Sequence, residues 1–588
     1  MFFQKKKCQV KRVLQRFTDI ETEHKQLFVY YLIYKLIVGQ FYYYCPTYYI
    51  LVIMTKSSHK PINKEGKNMT TLNNYKAIIN THTDKLPILF KSVLVGLLAG
   101  IVVAAYRLIL TYTGKWSFEF YQTLNGNLLL IPLVFLALGL AGYGVGILVS
   151  KYDMIKGSGI PQVSGVILGY FKHNWVSTLI AKFIGGIVSI SAGLSLGREG
   201  PSIQIGACVA EGVGKRFGAS RTEKRILIAS GASAGLAAAF NAPLAGAMFA
   251  VEEIFKYFSP IILLSTMASA ITADFVSQIF FGMSPVFDFN LEGVILFNHY
   301  WLLFLLGGLL GAAGAFYNYI LLFTQKLYEK IPILNTKSRL IVPFICAGIV
   351  GLYYPLALGS GNQIIGVLQA SSSLKFLLIL LVIKFIFSMI SFGSGAPGGI
   401  FFPLLILGAI IGAIFGNFTI NFLGVDPILF SNWVVLAMAG YFTAIVRAPI
   451  TGILLLIEMT GSLSHLLPLA IVSIVAYIIA DLLRSKPIYD SMLEKLIKER
   501  KFKVDRRDNS RKITVENVVQ HGSEAENKEV RNLDIPKGCL LIAVRRHGHD
   551  IIPHGYTKIR VQDYLVLLTS ISNEVEVREA LNKMTITK

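Results

Sequence analysis

Long apolar stretches separated by short polar ones set the first expectation for this 588-residue chain. Apolar runs at about 88–112, 127–150, 176–197, 260–282, 300–325, 339–358, 373–392, 400–424 and 463–483 each approach the roughly 20 residues that an α-helix needs to cross a bilayer. Shorter, glycine-broken runs lie between them. A half-helix that ends at membrane depth is tolerated only where its freed backbone groups line a cavity or are buried in protein, so the broken runs predict where a site lies. After Leu483 the pattern changes. Met492 to Arg500 carries Leu493, Leu496 and Ile497 at helical spacing, and from Ile513 short alternating runs follow: Ile513–Val515, Cys539–Val544 and Tyr564–Leu568. Punctuated by Pro536-Lys537-Gly538, His547-Gly548 and His554-Gly555, they predict strands of a small soluble domain.

Sliding the chain against itself exposes an internal repeat between Leu86 and Leu483. Gly157-Ser158-Gly159 recurs as Gly359-Ser360-Gly361, and the frame Gly193, Gly197, Pro201 recurs as Gly395, Gly399, Pro403, both at an offset of 202. Ala242-Pro243-Leu244-Ala245-Gly246 with Glu252 recurs as Ala448-Pro449-Ile450-Thr451-Gly452 with Glu458 at 206. Two halves with interrupted segments at matching positions predict a repeat-built transporter with its site near the midplane, where half-helix N-termini meet. The fold class is therefore an α-helical polytopic membrane protein of two repeats with broken helices, followed by a small α/β domain. The organisation read from the pattern is an N-terminal segment over 1–85, a transmembrane domain over 86–490, a linker over 491–502 and a small soluble domain over 503–588.

Composition agrees: 54% of residues are hydrophobic and 15% charged. A net charge of +22 would suggest nucleic acid in a soluble chain, but here the basic residues lie outside the apolar segments, where positive-inside placement accounts for them. Eleven Lys or Arg residues fall between Arg484 and Lys512, and the first 91 residues are lysine-rich. Both ends are thus expected on the cytoplasmic side. The five cysteines are scattered without CxxC spacing, which predicts neither a metal site nor a disulfide framework, and no cofactor. Leu27 to Met54 is apolar, with eight tyrosines, but is broken by Lys35, Gln40 and Pro46. It fits either an interfacial or spanning segment or a stretch that is not natively made, with Met54 and Met69 as alternative starts.

The chemistry concentrates at Ser191-Ala-Gly-Leu-Ser-Leu-Gly-Arg-Glu-Gly-Pro201. Arg198 and Glu199 sit between fifteen uncharged residues before and eleven after, and an ionisable group at membrane depth is a functional-site hypothesis. Gly193, Gly197 and Gly200 let backbone approach an ion, and Pro201 suits a helix start, where free N–H groups attract an anion. The carboxylate of Glu199 is read as sitting where a small anion would sit. Gly157-Ser158-Gly159-Ile160-Pro161 adds a hydroxyl donor and fits chloride, a weakly hydrated anion served best by several neutral donors; alone it also reads as a tight turn. Gly399-Ile400-Phe401-Phe402-Pro403 would add backbone N–H groups or form a packing corner. Tyr489 offers a phenol donor or an interfacial tyrosine. Glu252 and Glu253 point about 100° apart on a helix, one able to face an ion path and the other a partner, or else they mark a helix end. Arg447 and Glu458 read as structural charges at a segment boundary or dimer surface. His173, His299 and His465 sit near segment ends with no nucleophile signature, so an intramembrane protease is not supported.

These motifs resemble the CLC family of chloride channels and chloride/proton exchangers. GSGIP at 157–161, GREGP at 197–201, GIFFP at 399–403 and KPIY at 486–489 stand in family order. The resemblance implies a membrane-embedded homodimer with one pore per subunit, built of two inverted repeats. It implies a central anion site of Ser158, Ile400, Phe401 and Tyr489, with Gly159 beside them, and Glu199 as a gate that swings out when protonated. Glu253 falls on the second glutamate of the exchangers, with Glu252 before it, so the resemblance implies proton-coupled antiport rather than a passive voltage- or pH-gated channel; Ser158 and the intact GREGP speak for chloride over fluoride. Gln162-Val163-Ser164 replace acidic residues of some relatives. The tail resembles the TrkA-type regulatory domain, with Leu533–Gly538 and Arg545–Gly548 as its marks, which implies a small-molecule ligand there.

Overall fold

The computed structural model describes residues 86–586 apart from 125–127, 257, 284, 288, 290, 292, 333, 502–511, 537, 547–548 and 571–572. The N-terminal segment 1–85 lies outside the described residues. The first half runs α1 (Leu86–Leu124), α2 (Ile131–Lys151), α3 (Ile160–Ile167), α4 (Trp175–Ser191), α5 (Glu199–Arg216), α6 (Arg221–Phe240), α7 (Pro243–Phe249) and α8 (Pro260–Phe281). The second repeats the order as α9 (Tyr300–Lys330), α10 (Ile341–Tyr353), α11 (Asn362–Val367), α12 (Leu374–Gly393), α13 (Phe401–Leu423), α14 (Phe430–Val446), α15 (Pro449–Thr460) and α16 (Leu466–Leu482). Among the described residues, seven helices are long and apolar enough to cross a membrane. Helix α2 shows what the surroundings must be: Leu133, Leu136, Leu140, Tyr143 and Ile147 form one outward stripe, and Leu133 and Leu140 are 62% and 64% exposed. Such a stripe is stable against lipid and costly against water.

Local chemistry starts the helices where the broken pattern allows. Asn174 caps α4 by accepting from the Val176 and Ser177 amides at 3.0 and 3.4 Å, and Ser220 and Glu223 form a capping box on α6. Helices α5 and α6 touch backbone to backbone, since a Cβ on Gly206 would strike Gly231 and the reverse. Their repeat counterparts do likewise, with Gly408 of α13 against Ala437 and Met438 of α14. Small residues at such crossings replace the hydrophobic drive that lipid removes.

The halves are bonded to each other by contacts that come in exchanged pairs. Gly197 and Gly399, equivalent positions, form an antiparallel bridge in which each amide donates to the other's carbonyl at 2.7 Å. The Gly157 amide donates to Gly395 O at 3.1 Å, and its counterpart Gly359 donates to Gly193 O at 2.8 Å. Glu252 accepts from the Ile450 and Thr451 amides at 3.2 and 2.8 Å, while Glu458 accepts from the Leu244 and Ala245 amides at 2.9 and 2.8 Å. Each half's glutamate therefore caps the other half's short helix, satisfying N–H groups that α7 and α15 leave open. Only a local two-fold that swaps the halves gives each contact twice. Helices α5 and α13 both start two residues after the bridge, so their N-termini meet there.

Beyond α16, helix α17 (Ile488–Lys501) packs Leu493 with Met154 and Phe171, with Leu496 and Ile497 beside them, so the stretch read as a linker over 491–502 is helix through Lys501, as the spacing of those three residues predicts. The C-terminal domain is an antiparallel sheet of β1 (Lys512–Val518), β2 (Cys539–Arg546), β3 (His549–Ile551) and β4 (Tyr564–Ser570) in the order β1-β4-β2-β3. Helix α18 (Glu574–Thr585) lays Val577, Leu581 and Met584 on Val515, Leu541, Val544, Leu565 and Leu567. The three strands expected from alternation are present, and α18 supplies the helix of the expected α/β domain; β3 and the place of α18 were not anticipated.

Candidate ion-transport site

The bridge between Gly197 and Gly399 brings the separate motifs to one point. A Cβ on Gly200 would collide with Ser158 Oγ and lie 3.2 Å from Gly399 Cα, so the 157–161, 197–201 and 399–403 segments touch with no room for a side chain. Gly159 takes φ +98° at the start of α3, a conformation that favours glycine, and a Cβ there would meet Gln204. Pro161 follows in the first turn of α3, as Pro201 and Pro403 do in α5 and α13, where the missing N–H is no loss.

Carbonyl oxygens would repel an anion, and two buried lysines collect them. Lys182 is fully buried and donates to Ile155 O at 3.0 Å and Gly157 O at 2.6 Å. Lys384, also fully buried, donates to Ala357 O at 2.9 Å and Gly359 O at 2.7 Å. With their carbonyls tied down, the two Gly-Ser-Gly loops are left with hydroxyls and amides to offer. The loops serve opposite sides. Gly157 and Ser158 line a cleft of about 50 Å³ under α17 with Arg339, Glu329 and Lys495; Gly359, Ser360 and Gly361 line a cavity of about 300 Å³ with Lys115, Arg198 and Glu199.

Glu199 begins α5, fully buried, at the position that Phe401 holds in the other half. Its carboxylate lies beside the backbone amides of Arg198, Glu199 and Phe402, short of a well-formed hydrogen bond to any of them. The carboxylate thus rests in a nest of N–H groups at the junction of two helix starts, with unspent bonding capacity. Tyr106, buried with an unpartnered hydroxyl, stands close to Glu199 and Arg198. Ile400 is the cap and Phe401 the first residue of α13, positions whose amides have no acceptor within the helix. The Phe401 ring packs on Phe442, Phe240 and Phe249 at centroid distances of 4.6, 5.5 and 6.1 Å, which keeps water out beside those amides.

Tyr489 is 2% exposed, not at a surface. Its hydroxyl faces that of Ser158 and lies within the field of both Glu253 and Glu199; neither hydroxyl completes a hydrogen bond. Glu253, 4% exposed, occupies a π-helical turn over Ala250–Phe255 that continues α7. Such a widened turn is common at functional sites. Here it parts adjacent carboxylates: Glu252 reaches α15, while Glu253 turns inward with Lys256 Nζ 3.9 Å from its Oε1. Lys256 in turn pairs with Asp490. Arg447, in the left-handed region at the end of α14, donates to the carbonyls of Tyr477 and Ser485 and is a structural tie.

Sequence reasoning did not find Lys182, Lys384, Tyr106 or Asp490. The lysines carried a signal, because Lys182-Phe183-Ile184 recurs as Lys384-Phe385-Ile386 at the same offset of 202. Tyr106 and Asp490 carried none.

Comparison with known proteins follows the same lines. Residues 141–481 match the family described as Voltage gated chloride channel, and residues 515–582 match the TrkA-C domain. The chain is 37% identical over 431 residues to a Vibrio vulnificus protein named H(+)/Cl(-) exchange transporter ClcA, covering 71% of this chain and 91% of that one. It is 33% identical over 435 residues to the protein of the same name from Klebsiella pneumoniae, covering 72% and 91%. Among solved structures, a slow cyanobacterial Cl-/H+ antiporter aligns with a TM-score of 0.64 at 30% identity, over 70% of this chain and 98% of that one.

Proposed function

Because this chain belongs to the voltage-gated chloride channel (CLC) family, we propose that it is a secondary active antiporter moving chloride across the membrane in exchange for protons. Glu199 is its gate and outer proton carrier, and Glu253 its inner proton-transfer group. The observation that carries the reading is that Tyr489, beside Ser158, lies in the field of two buried carboxylates, Glu199 and Glu253. A passive anion path has use for a gate but none for a second buried acid. The relatives in Vibrio vulnificus and Klebsiella pneumoniae carry the name of exchange transporters, which supports the same choice.

The cycle follows from competition. An ionised Glu199 lies beside the amides of Arg198, Glu199 and Phe402, donors that a chloride ion also seeks, and the two negative charges repel. Protonating Glu199 removes the repulsion and releases the donors. Chloride then binds among Ser158, Tyr489 and the amides of Ile400 and Phe401, and its presence favours the protonated acid. Each tenfold of such coupling corresponds to about 1.4 kcal/mol, so modest interactions suffice to link the ions. The proton leaves towards Glu253 and the other solution, and the ions move in opposite directions.

The protein works as a homodimer in the cell membrane, with both termini and the C-terminal domain cytoplasmic. The eleven basic residues between Arg484 and Lys512 support that orientation. The reading is tested by reconstituting the full-length protein in liposomes and opposing chloride and proton gradients: a chloride gradient drives protons uphill. Chloride flux with no accompanying proton movement would make it a passive channel instead.

A further inference from the structure

We propose that the cavity between the C-terminal domain and the membrane domain binds an anion bearing at least two phosphoryl charges, and that its occupancy sets the transport rate. The cavity measures about 340 Å³, within the range of small-molecule sites. Its wall gathers Lys172, Lys215, Arg221, Lys224, Arg225 and Arg578 around one lining carboxylate, Glu211. Glu211 is shared among Lys215 at 3.0 Å, Lys224 at 3.2 Å and His173 at 3.5 Å, so it offsets a fraction of that charge. The nearby Glu516 is engaged by Arg545 at 3.1 Å. A concave wall of one sign concentrates counter-ions, and guanidinium groups match phosphoryl oxygens in geometry as well as charge.

The walls come from both domains and are held in register. Arg221 of α6 donates to Thr514 O and Oγ1 at 2.9 and 2.8 Å, and Arg578 of α18 donates to Leu168 O at 2.7 Å. Asn582 bonds the Tyr170 hydroxyl at 2.7 Å. Leu168 and Tyr170 follow α3, whose other end carries Ser158, about 12 Å away at helical rise. Gln520 also bonds Lys256 O at 3.1 Å, and Lys256 neighbours Glu253. The domain that closes the cavity therefore grips elements leading to both the anion donors and the inner carboxylate. An anion drawing the walls together shifts both.

A soluble polyphosphate and a phosphate-bearing lipid headgroup share this chemistry, and the test separates them. Full-length protein is titrated with inorganic pyrophosphate by calorimetry, and chloride efflux is measured from phosphatidylcholine vesicles with or without pyrophosphate, and from vesicles containing cardiolipin, whose headgroup carries two phosphodiesters. Efflux changes about fivefold or more with pyrophosphate if the ligand is soluble, or with cardiolipin if it is a headgroup. The joint variant Lys172→Gln, Arg225→Gln loses the response while keeping basal efflux, and weakens pyrophosphate binding by about tenfold or more in the soluble case. Lys172 is exposed, so Lys172→Gln alone repeats the test without risk to folding. Efflux indifferent to both probes, or a response undiminished in the variants, overturns the proposal.

Discussion

Lys182→Met removes a buried ammonium whose two acceptors, Ile155 O and Gly157 O, immediately precede Ser158. Methionine fills much of the same space but donates nothing: Ile155 O loses its partner, while Gly157 O keeps the Gly398 amide at 3.1 Å and loses its charged donor. One orphaned buried acceptor costs about 1–3 kcal/mol, and the lost charge-assisted bond to Gly157 O adds about 1, which puts the loop at a disadvantage of roughly 2–4 kcal/mol before relaxation. The loop escapes by turning its carbonyls, and that turns Ser158 away from Tyr489 and Gly200. If only the lower figure is realised, the competent arrangement falls to a few per cent and chloride affinity weakens by more than about tenfold. Calorimetric chloride titration of the purified protein measures this directly. Lys384→Met is the internal control. Its chemistry is the same, with acceptors Ala357 O and Gly359 O, but its loop lines the Glu199 cavity and not the Ser158 cleft. It should lose comparable stability and keep chloride affinity within about twofold. Wild-type chloride affinity in a folded Lys182→Met protein would refute the reasoning, as would equal losses of affinity in both variants.

Two further outcomes follow from the same geometry. Glu253→Gln should abolish proton movement while chloride flux persists, seen as loss of chloride-driven proton uptake in liposomes; retained coupling would remove Glu253 from the proton route. Glu252→Gln and Glu458→Gln each weaken a cap made by one half on the other, so each should lower stability by about 1 kcal/mol in denaturant unfolding in detergent; an effect in one and not the other would break the two-fold equivalence.

Much of this was readable from the chain because a duplicated fold writes each constraint twice. The Gly-Ser-Gly pair and the Gly197/Gly399 frame stood out by their common offset, and the structure bonds those positions to each other. The apolar runs marked most long helices but passed over α5, α6 and α14. Glu211, Lys215 and many small residues dilute α5; α6 opens on Arg221, Glu223, Lys224 and Arg225 and is rich in Ala and Gly behind them; and α14, cut off by Ser431, Asn432 and Arg447, falls short of a full span. The reciprocal caps of Glu252 and Glu458 were hidden because a glutamate two or three residues from a helix end looks like a boundary marker until its acceptor role in the other half is seen. The grip of Arg578 on Leu168 joins residues 410 positions apart, and no local pattern records it.

The most direct test of the account is proton movement by the Glu199→Gln protein in liposomes under a chloride gradient. The amide fills the same space but carries no titratable proton and no charge to compete with an anion. The account requires chloride to flow with protons left behind. Proton uptake at the wild-type ratio to chloride would show that the exchange does not pass through this side chain.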